Sequence, residues 1–219
     1  MQLTPEKIVV GLGILLALWY LGASVFNRRR GVAVFHWLRK PLDRFGGEIG
    51  SRWIGSAGSG AEIKVVKAEA PFKQIEAIYL LASRELLPLW LFDLARGKRD
   101  RLILKATLRA SFGGEIEAVP ARSGLARQMR TSTDKRWSIE SGPHDLVVGS
   151  HGGGTDSSRS ALTPFLEKYG GNLQRLSWTR QAPQLIVNLS LAGLYERSGS
   201  ASDLYDDLET LVAAASGSS

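Results

Sequence analysis

His151-Gly152-Gly153-Gly154 has the residue types of the oxyanion-hole tetrad that stabilises a tetrahedral intermediate in esterases. That chemistry also needs a nucleophile elbow, Gly-x-Ser-x-Gly between a strand and a helix, and the sequence contains none. Gly11-Leu12-Gly13 opens a dinucleotide-like pattern, but Leu16 stands where the third glycine belongs, and no phosphate-loop lysine occurs. The three histidines, His36, His144 and His151, lack the short spacings of a metal site. His144 beside Asp145, and His151 with Asp156, would form acid–base pairs only if folding joined them; otherwise they are surface-loop residues. Asp203, Asp206, Asp207 and Glu209 recur at helical spacing without the glycine that turns a calcium loop, so they read as a solvated helix face. With no cysteine, disulfides, thiolate metal sites and cysteine nucleophiles are excluded. No enzyme, cofactor, metal or small-molecule substrate is expected.

The elements that would position such residues are uneven in polarity. The chain has 219 residues, 28 Lys+Arg against 21 Asp+Glu, and 44% hydrophobic residues, a composition that excludes disorder throughout. Its mean hydropathy of −0.05 averages two unlike parts. Residues 8–26 are nineteen in a row without charge or proline, enough helix to cover about 28 Å and cross a bilayer. A cleaved signal peptide would carry a basic segment first and a shorter apolar run, whereas Glu6-Lys7 precedes this one and Arg28-Arg29-Arg30 follow it. Those arginines hold that end in the cytosol, which leaves residues 1–7 on the lumenal or exterior side. Gly13 and Ala17, one turn apart, form a small-residue face for packing another helix inside the membrane.

Residues 28–52 hold seven basic and two acidic residues. Phe35, Trp37, Leu38, Leu42, Phe45, Ile49 and Trp53 recur at spacings of three and four, which predicts a basic amphipathic helical segment over 27–54. Arg28, Arg29, Arg30, Trp37, Arg39 and Lys40 would then lie at the membrane interface against anionic lipids. The same pattern equally suits a helix packing its apolar stripe on the following domain. Further basic clusters lie over 84–109 and 122–136, each with a net charge of +4, and Lys98, Arg99, Arg101, Arg127 and Arg130 are the candidate contacts for ribosome or RNA. Trp137 and Trp178 suit either a core or a base-stacking platform.

Beyond a flexible Gly55–Gly60 linker or loop, residues 61–215 read as one α+β domain with a mixed or antiparallel sheet and packed helices, in strand–strand–helix units. Strands are expected at 62–67 and 74–83, at 101–108 and 115–119 joined by Phe112-Gly113-Gly114, at 146–148, 173–179 and 184–191. A buried helix is expected at 84–96, with others at 125–130, 162–169 and 203–215. A Gly/Ser-rich loop fills 149–160, and 216–219 is a frayed tail.

Taken in order, the single span with Asn27-Arg28-Arg29-Arg30 and Trp37, then Ser83-Arg84-Glu85-Leu86-Leu87 and the strand 101–108, resemble the calumin family. Pro143-His144-Asp145-Leu146, Thr155-Asp156, Phe165-Leu166-Glu167-Lys168-Tyr169, Leu176-Ser177-Trp178-Thr179-Arg180-Gln181 and the strand 185–191 extend that likeness. This family is the coiled-coil-domain-containing endoplasmic reticulum membrane subunit of the PAT complex. The resemblance implies a single-pass, non-enzymatic chaperone or adaptor for multipass membrane-protein biogenesis at the Sec translocon. Its partners would be a small membrane protein of the PAT complex and, near the cytosolic domain, the ribosome. Set against that family, the sequence is expected to be a short form, without the acidic lumenal region and the basic C-terminal coiled coil, so the resemblance does not carry over calcium binding. The alternative is a single-pass membrane-tethered module that binds anionic headgroups or RNA through its basic patches.

Overall fold

Pro5 opens helix α1 (Pro5–Leu42) at a position where a missing N–H costs nothing, and the helix continues for 38 residues. The computed structural model describes residues 4–109, 114–131, 137–152, 155–197 and 201–216. The expected Phe112-Gly113 turn, Gly153-Gly154, Lys135, Arg136, the Asp156 side chain and residues 217–219 of the tail lie outside the described residues.

The two halves of α1 meet different surroundings. Its first half is long and apolar enough to cross a membrane, and no residue of that stretch is buried in the protein. From Asn27 onward the helix becomes amphipathic, burying Asn27, Gly31, Val34, Leu38 and Leu42 along one face. Packing against the domain, the second of the two readings of this segment, is what the structure shows.

The helical expectation over 27–54 is corrected at its end. After a 3-10 turn at Asp43–Phe45, Gly46 and Gly47 take positive φ of 62° and 76°, conformations that stop a helix. Strand β1 (Glu48–Trp53) follows and pairs with β2 (Gly60–Val66) from Glu48↔Val66 to Trp53↔Ala61. The Gly55–Gly60 stretch is therefore the loop of a hairpin within one domain, not a linker between two. The domain also begins before residue 61, because β1 and the second half of α1 belong to it.

The remaining strands are β3 (Phe72–Leu80), β4 (Arg101–Leu108), β5 (Gly114–Pro120), β6 (Ser138–Gly142), β7 (Leu146–Gly152), β8 (Leu173–Trp178) and β9 (Leu185–Ser190). They form one antiparallel sheet in the order β1-β2-β3-β4-β9-β8-β5-β7-β6. With helices packed on it, the fold is α+β. β4 and β5, consecutive in sequence, do not pair, since β9 and β8 lie between them.

Helices α4 (Thr155–Tyr169) and α6 (Ser202–Ser216) join α1 on one face of the sheet, where Leu38, Leu42, Ile63, Leu104, Leu162, Leu176, Val187 and Leu208 belong to one core. Helix α3 (Gly124–Thr131) packs on the opposite face, where Ala126 meets Val119 and Val147. The expected loop over 149–160 is shorter than its glycines and serines suggest, because β7 runs to Gly152 and α4 starts at Thr155. The acidic face of the last helix is not simply solvated. Asp206 pairs with Arg44, while Asp207 takes Lys168 at 2.5 Å and the Tyr169 hydroxyl at 2.6 Å, tying α6 to α4 and to the end of α1. A four-residue helix α5 (Leu194–Arg197) leads into α6.

Candidate functional site

Between β3 and β4, where a short hairpin turn would suffice, residues 81–100 form a finger that carries helix α2 (Leu87–Ala95) along α1. Its base is closed by polar groups at the level where the apolar run of α1 ends. Asn27 is fully buried. Its Nδ2 donates to the Ala82 carbonyl at 3.0 Å and to Glu85 Oε1 at 3.1 Å, and its Oδ1 accepts from Arg84 Nη1 at 2.8 Å. Asp100 is the hub. It accepts from the Ala82 amide at 2.9 Å, from Arg84 Nη2 at 3.0 and 3.1 Å, and from Arg30 Nε at 2.9 Å. Arg30 extends the chain of contacts to Glu196 at 2.8 Å, while its guanidinium lies over the Tyr195 ring.

Burial of Asp100 works to raise its pKa, but the Arg84 hydrogen bonds, the Ala82 amide and the charges of Arg84 and Arg30 outweigh it. Its carboxyl is held below the ordinary aspartate range. Burial likewise opposes the charge on Arg30, yet its bonds to Glu196 and Asp100 prevail and raise it. Both groups stay ionised near neutrality and are already engaged, so the cluster works as an electrostatic clamp and is not poised for proton transfer.

Further along α1, Trp19 Nε1 donates to the Arg84 carbonyl at 2.9 Å, and the Trp19 and Trp90 rings lie 5.6 Å apart. Arg84 lies over the Phe26 ring at 5.5 Å. An open groove lined by Leu18, Trp19, Gly22, Ala23, Phe26 and Trp90 separates the span from α2. The helix expected at 84–96 to be buried is not: no residue of α2 is buried, and Leu86, Leu89, Leu91 and Phe92 are exposed.

Of the six residues expected at the membrane interface, Arg28 and Arg29 are exposed immediately after the apolar run. Arg30 is turned inward into the clamp. Trp37 packs edge-on against Tyr195 at 5.7 Å and borders the core, and Arg39 pairs with Asp43. Because α1 does not break, Arg39 and Lys40 lie about 20 Å of helix beyond Phe26, so Trp37, Arg39 and Lys40 belong to the folded domain, while Arg30 stays at the level where the apolar run ends.

Gly13 and Ala17 are exposed, and a Cβ on Gly13 would meet nothing within 4 Å. At 3.6 residues per turn they point about 150° away from the direction of α2, which leaves that face of the span open. Lys98, Arg99 and Arg101 are exposed at the root of the finger. Arg127 and Arg130 lie on α3, on the other face and beyond two intervening strands, so the two groups do not form one patch.

His144 and His151 stand at opposite ends of β7, about 20 Å apart along the strand, and are not brought together. His144 bonds the Glu167 carbonyl at 2.8 Å, and His151 stacks on Trp137 at 5.7 Å. Trp178 is core, 1% exposed. Among the described residues no cluster of three or more His, Asp or Glu could hold a metal.

Reading residues missed Asn27 and Asp100 as partners. One signal was present: a single amide side chain directly between an apolar run and three arginines. These features define a class, a sheet domain built directly onto a helix that can cross a membrane. Compared with known proteins, the chain matches no family model and no curated protein.

Proposed function

We propose that this chain is a membrane-anchored, non-enzymatic adaptor or chaperone in multipass membrane-protein biogenesis. It would be single-pass in the endoplasmic reticulum membrane, with its N-terminus lumenal and its sheet domain cytosolic. One observation carries the reading: the span enters the domain as the same helix and is clamped to it by Asn27, Arg30, Arg84 and Asp100. A clamp of that kind sets a folded domain at a fixed place against the bilayer, which an adaptor needs. The open Gly13–Ala17 face supports a helix partner in the membrane, and the exposed Lys98, Arg99 and Arg101 support contact with a polyanion beside it. The calumin resemblance, which rests on element order and the residues quoted above, supports the translocon and the ribosome as the setting. Crosslinking mass spectrometry on native membranes tests this. Crosslinks from Lys98 to ribosomal or translocon subunits are expected; their absence, with salt-sensitive binding to anionic liposomes or RNA alone, would replace the proposal with the tethered-module reading.

A further inference from the structure

Helix α2, with the sequence Leu-Pro-Leu-Trp-Leu-Phe-Asp-Leu-Ala, is apolar except for Asp93, and none of its residues is fully buried: Leu87, Trp90, Asp93 and Leu94 are half-buried and the others are exposed. A helix of that character belongs in a protein core or in lipid, and the described residues cover it on one side only. Three large side chains remain outside on this one short element, Leu89 at 48%, Leu91 at 49% and Phe92 at 55% exposure, and Leu86 just before it is 55% exposed. Its one charged residue, Asp93, is paired with Lys98 at 2.7 Å.

Position along α1 identifies what covers these side chains. Trp90 meets Trp19, seven residues inside the apolar run that ends at Phe26, which places it about 10 Å within the span. That is the depth at which interfacial helices bury their apolar side chains. Nine residues of helix reach only about 13 Å, too short to cross, so the finger enters and returns on the same side. The groups at its root suit a headgroup layer: Arg28 and Arg29 on α1, and Arg96, Lys98 and Arg99 just after α2, are all exposed.

We infer that α2 is a second membrane element, a monotopic finger sunk among the acyl chains of the leaflet on the domain's side, with lipid covering Leu86, Leu89, Leu91 and Phe92. The clamp at Asp100 holds this finger against the span, so the domain is fixed to the bilayer at two places. This rests on residues 8–26 spanning the membrane and is independent of the translocon reading.

Because the chain has no cysteine, single-cysteine variants can be spin-labelled without background. The full chain carrying Leu89→Cys, Leu91→Cys or Phe92→Cys is placed in nanodiscs of phosphatidylcholine and phosphatidylserine. Collision of each label with oxygen and with a water-soluble nickel chelate is then measured, with Leu21→Cys in the span and Gly124→Cys on the domain surface as references and circular dichroism as the check of folding. The finger labels are expected to match Leu21→Cys, reached by oxygen and shielded from nickel. Nickel accessibility like that of Gly124→Cys would overturn the inference by placing α2 in water. Shielding from both reagents would overturn it by showing a protein cover, and a Leu21→Cys label open to nickel would remove the span on which it rests.

Discussion

Asp100 carries more of the architecture than its single position suggests, because Arg30, Arg84 and the Ala82 amide all converge on it while it is only 4% exposed. Removing its charge takes away the carboxylate that Arg84 is paired with and leaves Arg30 only Glu196, and Asp100→Asn should cost about 3 kcal/mol, read as a lower thermal midpoint in mild detergent. The same group sets an acid limit. Its folded-state pKa lies below the unfolded value of about 3.9, so its stabilisation is complete above that pH and is lost as the pH falls through the folded value. Acid titration followed by near-ultraviolet circular dichroism should show this loss, and Asp100→Asn should flatten it. Tyr205 makes the opposite case. Its hydroxyl is buried and has no hydrogen-bond partner among the described residues, so Tyr205→Phe should be neutral or stabilising by up to about 1 kcal/mol in a denaturant titration.

At the scale of elements, the contact between α1 and the β1–β2 loop leaves no space at Gly31, where a Cβ would stand 1.7 Å from the Ala57 carbonyl oxygen. Gly31→Ala should therefore force the helix off the loop and destabilise by at least about 2 kcal/mol in the same titration. Strands were legible where side chains alternate: 101–108, 173–179 and 184–191 fall on β4, β8 and β9, and 74–83 falls on β3 up to Leu80 and then overruns into the finger, because one sheet face is buried and the other half-open. β1 was hidden, since Phe45, Ile49 and Trp53 happen to repeat every four residues and mimic a helix. β6 was missed because Ser138–Gly142 is an exposed edge strand with little to alternate. The finger was read as a buried helix for a physical reason: an apolar sequence does not say which apolar medium receives it. The clamp joins Asn27 to residues more than fifty positions away, and no local pattern in the sequence encodes such a meeting.

Across the whole molecule, one helix joins a stretch apolar enough to cross a membrane to a stretch buried in the domain. Leu38 is fully buried in the domain core, whereas Leu21 is 61% exposed within the span. Leu38→Ala should cost about 2–5 kcal/mol of domain stability and Leu21→Ala almost none, as denaturant unfolding in detergent will show. The absence of a break between these regions has a mechanical consequence. On the reading that residues 8–26 cross a bilayer, a thinner bilayer tilts the span, and with no joint after Phe26 the nine-stranded sheet would lean with it. About 24 Å of helix between Phe26 and Leu42 acts as the arm, so local membrane thickness becomes a direction in which the domain points.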